Sequence, residues 1–195
     1  MIINDAFGFL RGEVLLRVLD KNGTCLHRYE DKNAITYMAP LVIKDLLVQA
    51  TSPNMSVAAS NDHPSFEGWG INQNVQSDFE PTNNAIRYLQ IGTGGGTPAV
   101  RQQQTLITPV ASVIIPTILY PTASSIRCIA QVDVNTANVA DPINEVGLLT
   151  KGTAAFDDEP PVSPAGSKLF ARQVHPPVTK TEQVVLEYSW TVYFT

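Results

Sequence analysis

The chain has 195 residues, of which 44% are hydrophobic and only 16% are charged, and its net charge is -5 at pH 7. An average globular domain has about 25% charged residues, so much of this surface must be uncharged, which favours burial in an assembly. No run of five or six Lys or Arg residues occurs, which argues against direct binding to a nucleic-acid backbone.

The sequence carries no sign of targeting, membrane insertion or a cysteine framework. The first twelve residues lack the basic and apolar regions of a signal peptide, and the apolar stretch 110–120 is too short to cross a bilayer and contains Pro116. Cys25 and Cys128 stand alone, without C-x-x-C spacing. We therefore expect two buried free thiols and one domain over residues 1–195, made in a cytoplasm.

The first predicted element is a β-hairpin that follows an N-terminal arm of residues 1–10. The strand-like runs 13–19 and 24–29 flank the sequence Asp-Lys-Asn-Gly at 20–23. An Asn-Gly pair between two such runs is a strong signal for a tight hairpin turn.

One short helix and a long inserted loop are predicted next. Apolar residues recur at helical spacing within 38–49. Residues 51–84 lose this periodicity and are rich in Asn, Ser, Pro and Asp, which predicts an inserted loop. Long loops on a rigid scaffold often carry recognition. The candidates for partner contact in this loop are Phe66, Trp69 and Ile71.

The middle of the chain predicts strands around a glycine-rich loop. The strand-like run 85–92 leads into GTGGGT at 92–97, and 106–120 is rich in Val, Ile and Thr but contains two prolines that suit edge positions or breaks. A phosphate-binding loop could follow a strand in this way, but no Gly-Lys-Ser/Thr is present, so a turn-forming loop is favoured. The further candidates for partner contact are Gly94, Gly95 and Gly96.

The C-terminal part shows the clearest strand patterns. Apolar residues alternate with polar ones in 126–134 and occupy every second position in 184–194, and a further strand is predicted at 168–175. Together, the elements predict a mainly β chain. We expect an antiparallel β-sandwich, jelly-roll or immunoglobulin-like, of about seven or eight strands with one short helix.

No recognisable group of catalytic or metal-binding residues is present. The three histidines lack metal-ligand spacing, and no Gly-x-Ser-x-Gly elbow exposes a nucleophile. Asp157 and Asp158 could hold a cation, although a solvated loop tip beside prolines is favoured. We expect a chain that is not an enzyme and that has no cofactor and no catalytic or metal site; whether a cation lies near these two carboxylates stays open.

Three residues are predicted to hold the fold together. Glu145 lies in the otherwise apolar PINEVGLLT and would be costly to bury without a partner such as Arg172 or Lys180. We therefore interpret it as a structural ion pair or hydrogen-bond anchor. Trp190 lies at the centre of the alternating C-terminal strand and is predicted to be in the core. The structural residues are Glu145, Arg172 and Trp190.

Two blocks of the sequence carry a resemblance to a known group of proteins. They are 85–110, which contains YLQIGTGGGT, and 143–194, which contains INEVGLLT, KLFARQVHPPVTKTEQ and SWTVYF. An I-G-x-G turn, an E-x-G-L segment, an F-A-R … K-T stretch and a W-x-[IV]-x-F strand in this order resemble small tailed-phage virion proteins and fibre-attachment domains. The matching positions are Gly92, Gly94, Leu106, Glu145, Gly147, Leu148, Phe170, Ala171, Arg172, Lys180, Thr181, Trp190 and Phe194.

The resemblance implies a β-sandwich that attaches to a virus particle. We expect a non-enzymatic adaptor or accessory protein at the neck, tail or baseplate, made in the host bacterial cytoplasm and located in the virion. Its partners would be other virion proteins and copies of itself, as a homo-oligomer, without nucleic-acid or membrane contact. One alternative is a capsid decoration protein. Another is a carbohydrate-binding receptor module with Phe66, Trp69 and Tyr120 as aromatic platforms.

Overall fold

A computed structural model of the chain describes residues 10–36, 39, 86–100, 103–137, 139–151, 162–164 and 166–194. Within these residues the chain is mainly β, with almost no helix. The strands are β1 (Leu10–Asp20), β2 (Cys25–Ile35), β3 (Ile86–Gly92), β4 (Pro109–Ile114), β5 (Thr117–Thr122), β6 (Ser125–Val132), β7 (Ile143–Thr150), β8 (Leu169–Val178) and β9 (Val184–Phe194).

The strands form two antiparallel sheets that share β2. The full strand order is β4-β3-β7-β8-β2-β1-β9-β6-β5. Most of β2 pairs with β1, whereas its last residues, Ala34 and Ile35, pair with Arg172 and Ala171 of β8. The result is a β-sandwich-like architecture. The described residues contain nine strands, where the sequence predicted seven or eight, because the run 106–120 forms the separate strands β4 and β5.

The core lies between the two sheets and is built from the alternate residues that face inward. In β9, Leu186, Tyr188 and Trp190 are all 0% exposed, as the period-two pattern of this strand predicts. The sheet of β1, β6 and β9 packs these residues against apolar residues of the other sheet. The second sheet contributes Leu89, Ile91, Val146, Leu148 and Phe170 to the same cluster.

The predicted hairpin is confirmed. β1 and β2 pair antiparallel on either side of a turn in which Gly23 has a φ of 85°, a left-handed conformation that glycine adopts without steric cost. The Asp20 carboxylate accepts hydrogen bonds from the backbone N–H groups of Asn22 and Thr24, at 2.8 Å and 2.8 Å. These bonds close the turn and fix the register of the hairpin.

The two proline breaks and the two cysteines can be compared with their predictions. Pro109 begins β4, which is one end of the strand order, and Pro116 separates β4 from β5, so one proline lies on an edge strand and the other at a break, the two kinds of position left open by the sequence. Cys128 is buried, and burial raises the pKa of its thiol to about 11. The prediction of a buried Cys25 is wrong: the thiol is exposed, because it lies at the end of the hairpin where residues 21–28 are all exposed and no described segment covers them.

Several predictions fall outside the described residues. They concern the arm at 1–10, of which only Leu10 is described and belongs to β1, the helix within 38–49 apart from Ala39, and the inserted loop 51–84. The carboxylates of Asp157 and Asp158 also lie outside the described part.

Candidate functional site

Glu145 and Arg172 form an ion pair in the interior of the protein. They lie on the neighbouring strands β7 and β8, and both side chains are 0% exposed. The Arg172 Nε donates to Glu145 Oε2 at 2.8 Å, and Nη2 lies 2.7 Å from the same oxygen. Of the two partners considered from the sequence, the structure thus pairs Glu145 with Arg172.

The Glu145 carboxylate also binds three backbone N–H groups from two loops. Gly94 and Thr108 donate to Oε1 at 3.0 and 2.8 Å, and Ile107 donates to Oε2 at 3.2 Å. A buried carboxylate is costly unless it is paired and hydrogen-bonded, and these donors meet that requirement. They also tie the glycine-rich loop and the segment before β4 to strand β7.

The Arg172 guanidinium uses its remaining donors on the same loops. Its Nη1 donates to the Thr97 carbonyl and to Gln103 Oε1, each at 3.0 Å, and Nη2 donates to the Gly94 carbonyl at 3.2 Å. A guanidinium has five N–H donors; four of them have hydrogen-bond acceptors, and Nη2 also lies at ion-pair distance from Glu145 Oε2. We call Glu145, Arg172 and the loop groups that they bind the ion-pair network.

The glycine-rich loop, predicted as a partner contact, has an internal role at two of its three central glycines. A Cβ at Gly94 would lie 2.6 Å from Glu145 Oε1 and would overlap Ile107 Cβ, and one at Gly95 would lie 2.5 Å from the Asn144 carbonyl. The Gly95 N–H donates to Asn144 Oδ1 at 2.6 Å. Gly96 is exposed and has open space around it. Partner contact by this loop stays a prediction.

The other residues predicted from the sequence do not join this network. Trp190 lies in β9 and is 0% exposed, as predicted for a core residue. The candidates Phe66, Trp69 and Ile71 lie outside the described residues. What the sequence could not reveal is that two loops close over the ion pair, because Thr108 and Glu145 are 37 residues apart and Gly94 and Arg172 are 78 apart.

A second buried polar pair links the two sheets. The Tyr188 hydroxyl lies 3.0 Å from His175 Nε2, and His175 Nδ1 lies 2.8 Å from the Pro176 carbonyl. A carbonyl only accepts, so Nδ1 carries the proton and the tyrosine donates to Nε2. Burial lowers the pKa of His175 and raises the pKa of Tyr188. No pattern in the sequence indicated this pair.

Strand β5 presents the most exposed apolar surface among the described strands. All six of its residues are exposed, and Ile118, Leu119 and Tyr120 are 43%, 44% and 75% exposed. β5 is the last strand in the sheet order and pairs with β6. Of its residues, only Tyr120 was a candidate from the sequence, as an aromatic platform.

Metal-binding clusters and membrane-spanning helices are the two remaining features to consider in the described part. Within it, no group of three or more His, Cys, Asp and Glu side chains is arranged to hold a metal ion. The described part also contains no helix that is long and apolar enough to cross a membrane. In comparisons with known proteins, no family model, no curated protein and no solved structure matches this chain.

Proposed function

We propose that this chain is a non-enzymatic structural protein of a tailed-bacteriophage virion. It acts as an adaptor or accessory at the neck, tail or baseplate, where it mediates assembly between virion proteins or the attachment of a fibre. The observation that carries the proposal is that several residues of the phage-like sequence pattern converge on the ion-pair network. Gly94, Glu145 and Arg172 are far apart in the sequence, yet they are hydrogen-bonded to one another.

Other positions of the pattern support the same network by close packing. A Cβ at Gly92 would lie 2.5 Å from Glu145 Oε1, and a Cβ at Gly147 would lie 2.6 Å from Leu169 Cδ1 and 3.0 Å from Leu106 Cδ2. The part of the pattern that comprises Gly92, Gly94, Leu106, Glu145, Gly147 and Arg172 therefore corresponds to one three-dimensional unit. This supports the resemblance, because short motifs that match by chance have no reason to meet in space.

The geometry favours a scaffold over an enzyme. Glu145 and Arg172 are fully buried and their hydrogen-bonding groups are bound to the protein itself, so neither group is free to exchange a proton with a substrate. An active-site acid or base needs access to the reacting group. By contrast, the apolar residues of β5 are exposed, which suits a protein that works by packing against others.

The jelly-roll form of the sandwich belongs to the same proposal. β1 pairs with the last strand, β9, and β2 pairs with the preceding strand, β8. Nested pairing of this kind arises when a long antiparallel hairpin is wound into two sheets, as in the jelly rolls of viral capsid proteins. Consecutive strands also pair as hairpins, namely β1 with β2, β3 with β4, β5 with β6 and β7 with β8.

The copy number of the chain in purified particles tests the proposal. Quantitative mass spectrometry against the major capsid protein would give a small multiple of about six copies for a ring or fibre-linked position, as closed rotational symmetry requires. Hundreds of copies would support the alternative of a capsid decoration protein. Absence of the chain from the particles would overturn the virion proposal.

A carbohydrate-binding receptor module is the alternative from another class. Tyr120, one of its three proposed aromatic platforms, is 75% exposed, and an exposed ring can stack against a sugar. Binding of the full chain to a panel of bacterial surface glycans, lost in Tyr120→Ala and kept in Tyr193→Ala, would favour this alternative. Equal binding by the two variants would contradict it.

A further inference from the structure

We propose that His175 is a pH-sensitive switch at the junction of the two sheets. When its imidazole gains a proton, a crevice between β2 and β8 opens, while the other strand pairings persist. The proposal goes beyond the proposed function and does not depend on it. It rests on three features of the structure: the short pairing that joins the sheets, the crevice beside this pairing, and the hydrogen bonds of the imidazole.

The two sheets are joined by a short pairing between β2 and β8. Among the described residues, only Ala34 and Ile35 of β2 have partners on β8. The Thr36 N–H extends this pairing with a hydrogen bond to the Phe170 carbonyl at 3.0 Å. By comparison, β1 pairs with β9 along its whole length. Local opening begins where few bonds must break, so the β2–β8 pairing, which we call the seam, is where the sheets separate most easily.

Beside the seam the two strands diverge and leave a crevice of about 340 Å³. β8 continues through Pro176 and Pro177, which have no N–H group that could pair with β2. Gln173 bridges the crevice near the seam, where its Nε2 donates to Asp31 Oδ2 at 3.1 Å. His175 lies in the wall of the crevice and is only 8% exposed. The crevice therefore gives water a route to the imidazole when it opens.

Both ring nitrogens of His175 make hydrogen bonds that fit the neutral imidazole alone. Nδ1 donates to the Pro176 carbonyl, and Nε2 accepts from the Tyr188 hydroxyl. A proton added at Nε2 turns this acceptor into a donor. Tyr188 is 0% exposed, and its hydroxyl has no other hydrogen-bond partner among the described residues. If its oxygen accepted instead, its own hydrogen would be left without an acceptor. Protonation therefore weakens the bond that links β8 to β9 across the core.

The charged groups around His175 favour an open crevice once the imidazole is protonated. The titratable and charged side chains that line the crevice or act on the imidazole are Arg28, Tyr29, Glu30 and Asp31 of β2, Glu145 of β7 and Tyr188 of β9. The charge of Glu145 is paired with Arg172, whereas the crevice has two carboxylates and one guanidinium. Burial is the largest influence on the closed form and lowers the pKa of His175. An imidazolium is therefore more stable in the hydrated, net negative crevice.

Hydrogen exchange of the Thr36 amide in the full chain tests the switch, because this amide donates within the seam. Exchange is compared at about pH 7.5 and about pH 5.5, corrected for the intrinsic effect of pH, on either side of the usual His pKa of about 6.5. The closed form is fully stable above this pKa and loses stability as the pH falls toward its own, lower pKa.

An open form with the usual pKa is about nine-tenths protonated at the lower pH. We therefore expect the protection of Thr36 to fall by up to about tenfold in the wild type and in the control His27→Gln. The protection should stay constant in His175→Gln, which cannot gain the proton. Unchanged protection in the wild type, or the same fall in His175→Gln, would overturn the proposal.

Low concentrations of urea show whether the opening is local. A local opening exposes little surface, so its free energy hardly depends on urea, whereas that of global unfolding depends on it steeply. At the acidic pH we expect exchange of the Thr36 amide to be insensitive to urea and exchange of the Trp190 amide, on β9, to be sensitive. An equal response of both amides would mean that acid unfolds the whole chain, and there would be no switch at the seam.

A thiol in the crevice gives a measurement in which His175 is unchanged. In a Cys25→Ser background, Val14→Cys places a thiol in the wall of the crevice, and the buried Cys128 is the internal reference. A disulfide reagent that is active in acid labels both thiols, and each rate is divided by its rate in the unfolded chain. We expect the new thiol to react faster than Cys128, and up to about tenfold faster at the lower pH than at the higher. A rate independent of pH, or no faster than that of Cys128, would contradict the opening of the crevice.

Discussion

Around Glu145 and Arg172 two full charges are 0% exposed, whereas at β5 three large apolar side chains are at least 43% exposed. The first region buries charge and the second exposes apolar surface. The buried charges are bound by each other and by two loops, so this region is complete within one chain. The exposed apolar residues of β5 have no such partners among the residues that the structure describes. The two regions therefore differ less in polarity than in whether their side chains have partners among the described residues.

Removal of Arg172 tests the buried ion pair and has the largest expected effect on the free energy of unfolding. Arg172→Ala leaves the Glu145 carboxylate buried without its counter-charge, which costs about 3–5 kcal/mol in comparable buried pairs. We expect a fall of this size in the free energy of unfolding, measured by denaturant titration. Arg11→Ala is the control, because its side chain is 52% exposed and 3.7 Å from Glu13, and it should cost less than about 1 kcal/mol.

A loss of less than about 1 kcal/mol in Arg172→Ala would contradict the structural role of the ion pair, since an unpaired buried charge cannot be so well tolerated. Cleavage of the chain by a protease in the glycine-rich loop adds a local measurement. Because Arg172 binds the carbonyls of Gly94 and Thr97, the variant should be cut there sooner than Arg11→Ala.

Trp190 and Ile118 lie on either side of Cys128 across the sheet. They allow a buried position of the sheet to be compared with an edge position. Trp190→Ala removes a ring that is 0% exposed and should cost about 3–5 kcal/mol of unfolding free energy. Ile118→Ala, on the edge strand β5, should lower the free energy of unfolding by less than about 1 kcal/mol, because this side chain is already partly solvated. The same denaturant titration measures both. Equal losses would mean that the core extends to β5, and a loss below about 1 kcal/mol in Trp190→Ala would mean that this residue is not in the core.

Local sequence patterns predicted those elements whose partners are close in the sequence or whose alternation is strict. The hairpin of β1 and β2 has its Asn-Gly turn, and β9 has a period-two pattern that places Trp190 inside. Cys25 was predicted wrongly because a strand-like run does not reveal whether a second layer covers it. β4 and β5 were not separated, since Pro116 could equally mark an edge or a break.

The site was predictable only as far as single residues allow. A lone acid in an apolar strand implied a buried partner for Glu145, but Arg172 and Lys180 were both possible, and only the pairing of β7 with β8 decides between them. The convergence of Gly94, Ile107 and Thr108 on the carboxylate depends on contacts between distant parts of the chain. Nor could the sequence indicate that Tyr188 donates to His175 across the core.

Gly94 and Gly96 of the glycine-rich loop differ in their packing: Gly94 is packed against Glu145, whereas Gly96 has open space around it. Gly94→Ala would place a Cβ 2.6 Å from Glu145 Oε1 and 2.9 Å from the Thr108 backbone nitrogen. Such overpacking should cost about 1–3 kcal/mol of unfolding free energy, measured by the same titration. Gly96→Ala is the matched control, because nothing lies within 4 Å of its Cβ position, and it should be neutral or slightly stabilising. Similar costs for both would contradict the packing of Gly94 against Glu145.

The smallest expected effect is a pH dependence at His175, a buried group that is kept neutral, unlike the charged ion pair. Burial lowers the pKa of His175 in the folded protein, although the Pro176 carbonyl and the charge of Glu145 oppose this shift. The unfolded chain, with a His pKa of about 6.5, therefore binds more protons than the folded chain below that pH. Stability is thus fully present above about pH 6.5 and is lost as the pH falls toward the lower, folded pKa.

This loss can be measured as the difference between the midpoints of thermal unfolding at about pH 7.5 and about pH 5.5. These two values lie on either side of the usual His pKa. We expect the wild type and His27→Gln, which replaces a histidine on the exposed part of β2, to unfold at a lower temperature at the acidic pH. His175→Gln should lose most of this difference, because the Tyr188 hydroxyl can donate to the amide oxygen at either pH. If His175→Gln kept the whole difference, its origin would lie in another group, and the neutral imidazole would carry no linkage to folding.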